Sequence, residues 1–230
     1  MNKLVAGYEQ FRSDVFPQKK KIFEHLAGEQ HPRALFVTCA DSRILPAMVM
    51  QSDPGELFIS RNAGNMVPPY GERMGGVSAT IEYGVLALNV QHIVVCGHSD
   101  CGAMHGVLHP ERVAKMPTVA SWLMHGEVAR RIVEETYGNL TEEQKLEALI
   151  RENVLAQLDH LRTHPSVASR MKSGELQLHA WVYQIHTGEI EAYDAESESF
   201  VPLRTGKVPN AVRPSLRRRQ ELRAAALLAS

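Results

Sequence analysis

Three short runs of almost unbroken apolar residues constrain the fold of this chain more than any other feature. They are Ala34-Leu35-Phe36-Val37-Thr38-Cys39, Leu57-Phe58-Ile59-Ser60 and His92-Ile93-Val94-Val95-Cys96. Each is too short for an ordinary helix and lacks polar–apolar alternation, the pattern of a strand buried on both faces. Such strands need helices above and below them, and helical periodicity supplies these. Residues 3–27 carry apolar positions at helical spacing, interrupted near Pro17, which predicts two consecutive helices. From Gly76 to Asn89 the spacing puts Val77, Ile81, Val85 and Leu88 on one face. Two longer helical stretches span roughly 117–137 and 141–162. Strands separated by helices favour parallel pairing, so the expected architecture is α/β, a mostly parallel central sheet flanked by helices. Gly97 is expected to end the third strand. Further on, Leu176 to Ile185 alternates in part and Thr187-Gly188 turns into Glu189 to Tyr193, a hairpin expected at one end of the sheet. No repeat or low-complexity linker divides the 230 residues, which are read as one domain. It has an N-terminal helical arm, 1–30, and a C-terminal tail, 211–230. The tail holds Arg217-Arg218-Arg219 and an Ala/Leu-rich segment, and either packs on a neighbouring subunit or is a solvated end.

The totals narrow the function. A formal net charge of −1 gives no field to draw nucleic acid or an anionic membrane, so neither is an expected partner. The N-terminus has no apolar signal core, and no run of about 18 apolar residues occurs, so a cytoplasmic protein is expected. Three cysteines, at 39, 96 and 101, are an odd number. In a reducing compartment they read as metal ligands, a nucleophile or core filler, not a disulfide framework.

Two segments stand out, and both begin where a buried strand ends: Cys39-Ala40-Asp41-Ser42-Arg43 and Gly97-His98-Ser99-Asp100-Cys101-Gly102. In open α/β sheets ligands bind beyond the carboxyl ends of the strands, so neighbouring strands would bring the two segments face to face. Cys39, His98 and Cys101 are the thiolate and imidazole donors that zinc prefers. Three protein ligands leave one position open, as in catalytic zinc sites. Cys96, mid-strand among valines, reads as a core thiol. Asp41, two residues beyond Cys39, would project to the same side in extended backbone, and Arg43 can pair with it bidentately. That pairing would keep Asp41 ionised, held back from the metal, and able to accept a hydrogen bond from water bound there. A cysteine phosphatase needs Arg six positions after its nucleophile, where this chain has Leu45, and no GxxxxGK[ST] loop is present.

The two segments resemble the paired zinc-binding signatures of β-class carbonic anhydrases. Pro54 to Phe58, Arg61 to Tyr70, Gly76 to Tyr83, Arg151 to Val154 and His179 to Tyr183 extend the similarity over nearly the whole chain. Plant-like bacterial members, including those encoded beside cyanase, look most similar. The resemblance implies one zinc ion per subunit on Cys39, His98 and Cys101, with Asp41 and Arg43 as a catalytic dyad. It implies a substrate slot at Gln30, Phe58, Ala63 and Tyr83, and active sites at a dimer interface. The partners are then carbon dioxide or bicarbonate and a second copy of the chain, as a homodimer or a dimer-based oligomer. The amphipathic N-terminal helices are expected to extend onto that partner subunit. Phe58, Ala63 and the Tyr83 ring can shelter carbon dioxide, while the Gln30 amide and the Gly102 backbone N–H can donate to an oxygen gaining charge. Some relatives close by binding Asp41's counterpart to zinc and holding bicarbonate in a second pocket that needs a Trp-x-Gly before the first Cys. Here Phe36 and Thr38 stand in those places, which favours the open form.

The implied function is reversible hydration of carbon dioxide to bicarbonate and a proton by attack of zinc-bound hydroxide. His105, His109 and His125 are candidates for passing the proton to solvent. Two alternatives are hydrolysis of carbonyl sulfide or carbon disulfide on the same site, and a zinc-binding protein without turnover. The latter predicts a closed coordination shell.

Overall fold

The computed structural model describes residues 1–72, 75–137, 139–206, 208 and 209. The tail expected over 211–230 lies outside the described residues. The chain opens with α1 (Asn2–Gln10) and runs through a π-turn (Phe11–Val15) directly into α2 (Phe16–Leu26). The two consecutive helices expected are present, joined by the π-turn, and Pro17 marks the start of the second. It occupies the first turn of α2, where its missing N–H costs little, and the wider π-turn before it relieves the clash of its ring with the preceding turn. No residue of α1, the π-turn or α2 is buried. Phe16 stacks on Phe23 with centroids 5.2 Å apart, and Phe11 packs edge-on against both.

The next elements are β1 (Ala34–Cys39), α3 (Pro46–Val49), β2 (Leu57–Asn62), α4 (Gly76–Leu86), β3 (His92–His98) and α5 (Gly102–Leu108). They are followed by α6 (Pro117–Leu123), α7 (Glu127–Thr136), α8 (Glu142–Thr163), α9 (Pro165–Ser173), β4 (Gln177–Tyr183), β5 (Ile190–Asp194) and β6 (Ser199–Pro202). Among the described residues, six strands form one sheet in the order β2-β1-β3-β4-β5-β6. The first four are parallel and the last two antiparallel, as the apolar runs and the hairpin signal predict. The unforeseen strand is β6, whose four residues, Pro202 among them, are too few to show a period.

Three boundaries differ from the sequence reading. Gly97 does not end β3, which continues to His98. Its role is to admit α8: a Cβ there would stand 3.0 Å from Val154 Cγ1 and 3.3 Å from Ile150 Cγ2. Helix α4 stops at Leu86, because Asn89 adopts a φ of +52° and Val90 N–H bonds the Gly84 carbonyl, turning the chain into β3. The helical stretch over 117–137 divides at a 3-10 turn, Met124–Gly126, where a Cβ on Gly126 would lie 3.0 Å from Met66 Cε.

Helix α8 organises the core. A reciprocal pair of bonds between Thr141 and Gln144 caps its start. Its Leu149, Ile150, Val154 and Leu161 are buried with Leu35, Val37, Ile93, Val95, Leu178 and Ala180 of the sheet. Among the described residues, no helix is long and apolar enough to cross a membrane.

Candidate metal centre

β1 and β3 are parallel neighbours, so their carboxyl ends lie side by side, and each ends on a residue singled out above. Cys39 closes β1, His98 closes β3, and Cys101 is the N-cap of α5. Asp100, with φ +52°, turns the chain so that Cys101 comes back toward the strand it has just left. The three residues are 5%, 0% and 1% exposed. Their ligand atoms lie within 4.8 Å of one another, the one such group of three His, Cys, Asp or Glu side chains among the described residues.

The donor set fits a metal ion. Cys39 Sγ and Cys101 Sγ are 3.9 Å apart, too far for a disulfide. Two thiolates at about 2.3 Å from one tetrahedral ion would be about 3.8 Å apart. His98 Nδ1 bonds the Ser99 carbonyl at 2.9 Å, so it carries the proton and leaves Nε2 with the lone pair. Nε2 is buried without a hydrogen-bond partner, the condition of an imidazole made to ligate. The sulfurs agree: hydrogen bonding from Cys101 holds Cys39 well below the ordinary thiol range, and the thiolate so formed pushes Cys101 up. A cation between them would favour the ionised form of both. Cys96 behaves otherwise, since burial pushes its thiol up to about 12 and leaves it inert.

Asp41 stands at the rim of this group, with Oδ2 3.8 Å from His98 Nε2. The backbone from 41 to 43 is turned, because Arg43 N–H bonds back to Asp41 Oδ1 at 2.9 Å. The same turn delivers the guanidinium: Arg43 Nε donates to Oδ1 at 3.0 Å and Nη2 to Oδ2 at 2.8 Å. This fork holds the Asp41 carboxyl well below the usual carboxylate range, so it is ionised at neutral pH.

Some supports were not singled out from sequence. Arg61 on β2 donates to the carbonyls of Cys39, Asp41 and Ile44 at 3.0, 2.6 and 2.9 Å and so fixes the loop that carries the dyad. Gly64 N–H points at Cys39 Sγ from 3.5 Å, and Asn153 of α8 holds the Gly64 carbonyl at 3.1 Å. Gln157, one turn on, accepts from Val67 N–H at 2.8 Å and ties down the rest of that loop. A lone arginine inside a strand gives no sequence signal that it will bind three carbonyls.

The residues of the expected substrate slot divide into two places. Ala63, whose carbonyl accepts from Trp122 Nε1 at 2.9 Å, precedes Gly64, and Gly102 follows Cys101, so both adjoin the cysteines. Phe58 and Tyr83 pack on each other with centroids 6.0 Å apart. In register, however, Phe58 lies opposite Leu35 and Asn62 opposite Cys39, which puts Phe58 about 13 Å down the strand from the cysteine. Gln30 is exposed in the loop between α2 and β1, also at the far end of the sheet. Of the histidines, His105 contacts Asp100 at 3.0 Å, His109 contacts Glu142 at 3.1 Å, and His125 is buried with its ring against Trp122.

Comparison with known proteins agrees with this geometry. A sequence profile of the carbonic anhydrase family matches residues 34–190. The carbonic anhydrase of Pseudomonas aeruginosa is 48% identical over 203 residues, covering 88% of this chain and 92% of that protein. The solved structure of the β-carbonic anhydrase CcaA superposes with a TM-score of 0.90 at 43% identity, covering 94% of this chain and 96% of the other. Tetrameric β-carbonic anhydrases of Sordaria macrospora give a TM-score of 0.68 at 31% identity, covering 83% and 92%. Sequence, fold and the Cys-His-Cys group together make this chain a member of the β-class carbonic anhydrases.

Proposed function

We propose that this chain interconverts carbon dioxide and bicarbonate at the group formed by Cys39, His98 and Cys101, which holds one zinc ion. The ion, when bound, supplies the Lewis acidity that lets a water ionise near neutral pH. The protein's own residues do the rest. Cys39 and Cys101 would hold the ion as thiolates, their protons released to solvent as it binds, and the Ser99 carbonyl fixes the His98 tautomer. Asp41, ionised and clamped by Arg43, accepts a hydrogen bond from the attacking oxygen and turns its lone pair toward the substrate carbon. The observation that carries the reading is this carboxylate, held by a two-pronged guanidinium at the edge of two sulfurs and an unpartnered imidazole nitrogen. The open arrangement follows, because Arg43 occupies the Asp41 oxygens that a closed shell would need. The Gly102 N–H and the Ala63 side chain border the place where carbon dioxide enters.

Gln30, Phe58 and Tyr83 cannot complete the slot from the same chain, so they serve the site of a second copy, and the working unit is a homodimer or an assembly of dimers. The outer edge of β2, free among the described residues, with Ile59 exposed, and an apolar arm in α1 and α2 without a buried residue support that assembly. The three free cysteines suit a reducing, cytoplasmic setting.

Stopped-flow hydration assays beside metal analysis test the reading. Asp41→Asn keeps one zinc per chain and loses about 10²-fold or more in kcat/KM, in the range for removal of a proton-accepting group. Full activity in that variant removes the role of Asp41.

A further inference from the structure

Arg43 is gripped from two sides. Of its five N–H donors, two go to the Asp41 oxygens, and two go to Asp100: Nη1 to Oδ2 at 3.1 Å and Nη2 to the backbone carbonyl at 2.9 Å. Asp100 belongs to the loop between His98 and Cys101, so the guanidinium bridges the two loops that carry the sulfur and nitrogen donors. The second Asp100 oxygen is also occupied, by His105 Nε2 of α5 at 3.0 Å. Asp100 adopts a φ of +52°, where glycine would fit with less strain, yet an acidic side chain occupies the position. Its side chain is 67% exposed, and an ion pair so open to water adds little to stability. What the carboxylate contact does is geometric. Without it, Arg43 keeps across the two loops only the single bond from Nη2 to the backbone carbonyl at position 100, and the Asp41–Arg43 pair can pivot about that one bond.

We infer that Asp100 is a positioning residue, anchoring Arg43 across the two loops so that Asp41 keeps its direction toward the reacting oxygen, with His105 holding Asp100 from behind. The inference rests on the role proposed for Asp41. Asp100→Gly suits the left-handed backbone and removes the carboxylate, while Asp100→Asn suits it too and keeps an oxygen to accept from Arg43. The measurements are kcat/KM for hydration, zinc content, and the side-chain Nε–H resonance of Arg43 in the metal-free and zinc-loaded protein, assigned by its loss in Arg43→Lys. The expected result is a fall of tenfold or more in kcat/KM for Asp100→Gly with one zinc per chain, and a broadened Arg43 signal in both metal states. Asp100→Asn recovers activity to within about threefold and restores the sharp signal. An Asp100→Gly enzyme within twofold of the parent, an unaltered Arg43 signal, loss of zinc, or an Asp100→Asn enzyme as impaired as the glycine variant each overturns the inference. The Asp41→Asn result separates the two readings: if that variant is inactive while Asp100→Gly is normal, only the role of Asp100 fails.

Discussion

At the scale of single residues, the site depends on groups that would be costly in isolation and are satisfied only together. A buried imidazole nitrogen without a hydrogen-bond partner and two sulfurs 3.9 Å apart form a cavity suited to a cation. Arg61 shows how backbone is recruited to hold such a group. Replacing it with Met leaves the carbonyls of Cys39, Asp41 and Ile44 without their donor. The expected loss is about 1–3 kcal/mol, with water making up part of the deficit. Urea unfolding checks it, and an unchanged midpoint would mean that the loop holds its shape unaided. The Cys-His-Cys group and the Asp41–Arg43 pair were legible because each lies in a short segment at the end of a buried strand, Cys39 to Arg43 and His98 to Cys101. Arg61, Asp100 and Asn153 were not, because their partners are backbone atoms or a loop distant in sequence, which no local pattern marks.

At the scale of elements, apolar runs predicted the parallel strands well, since burial on both faces leaves few other choices. Boundaries were read less well wherever glycine serves packing and not turning. Gly97 reads as a strand end but is the place where α8 comes close to the sheet. Gly97→Ala pushes a methyl into Val154 and Ile150 and is expected to destabilise by about 1–3 kcal/mol. Adding Val154→Ala opens room for it, so the double variant should lose less than the two single losses combined, a coupling that thermal or urea unfolding measures directly. Strict additivity would show that the α8 contact is not what sets the residue at position 97. Pro17 was read better, since a proline is tolerated in the first turn of a helix and marks where α2 starts.

At the scale of the whole molecule, a single chain brings Cys39, His98 and Cys101 together but leaves Phe58, with Tyr83 packed on it, about 13 Å down the sheet from the cysteine. The arm formed by α1 and α2 has no buried residue, although Phe11, Phe16 and Phe23 already cluster. If the arm covers a second copy, Phe16→Ser with Phe23→Ser shifts the protein toward monomer in light scattering after size exclusion and lowers activity with it. An unchanged mass would place the interface elsewhere. The most direct test of the central claim is an anomalous difference map from crystals of the purified protein, measured on either side of the zinc edge. The account predicts one peak per chain, about 2.3 Å from Cys39 Sγ and Cys101 Sγ and about 2.0 Å from His98 Nε2. No peak there, or a peak held by other residues, would contradict it.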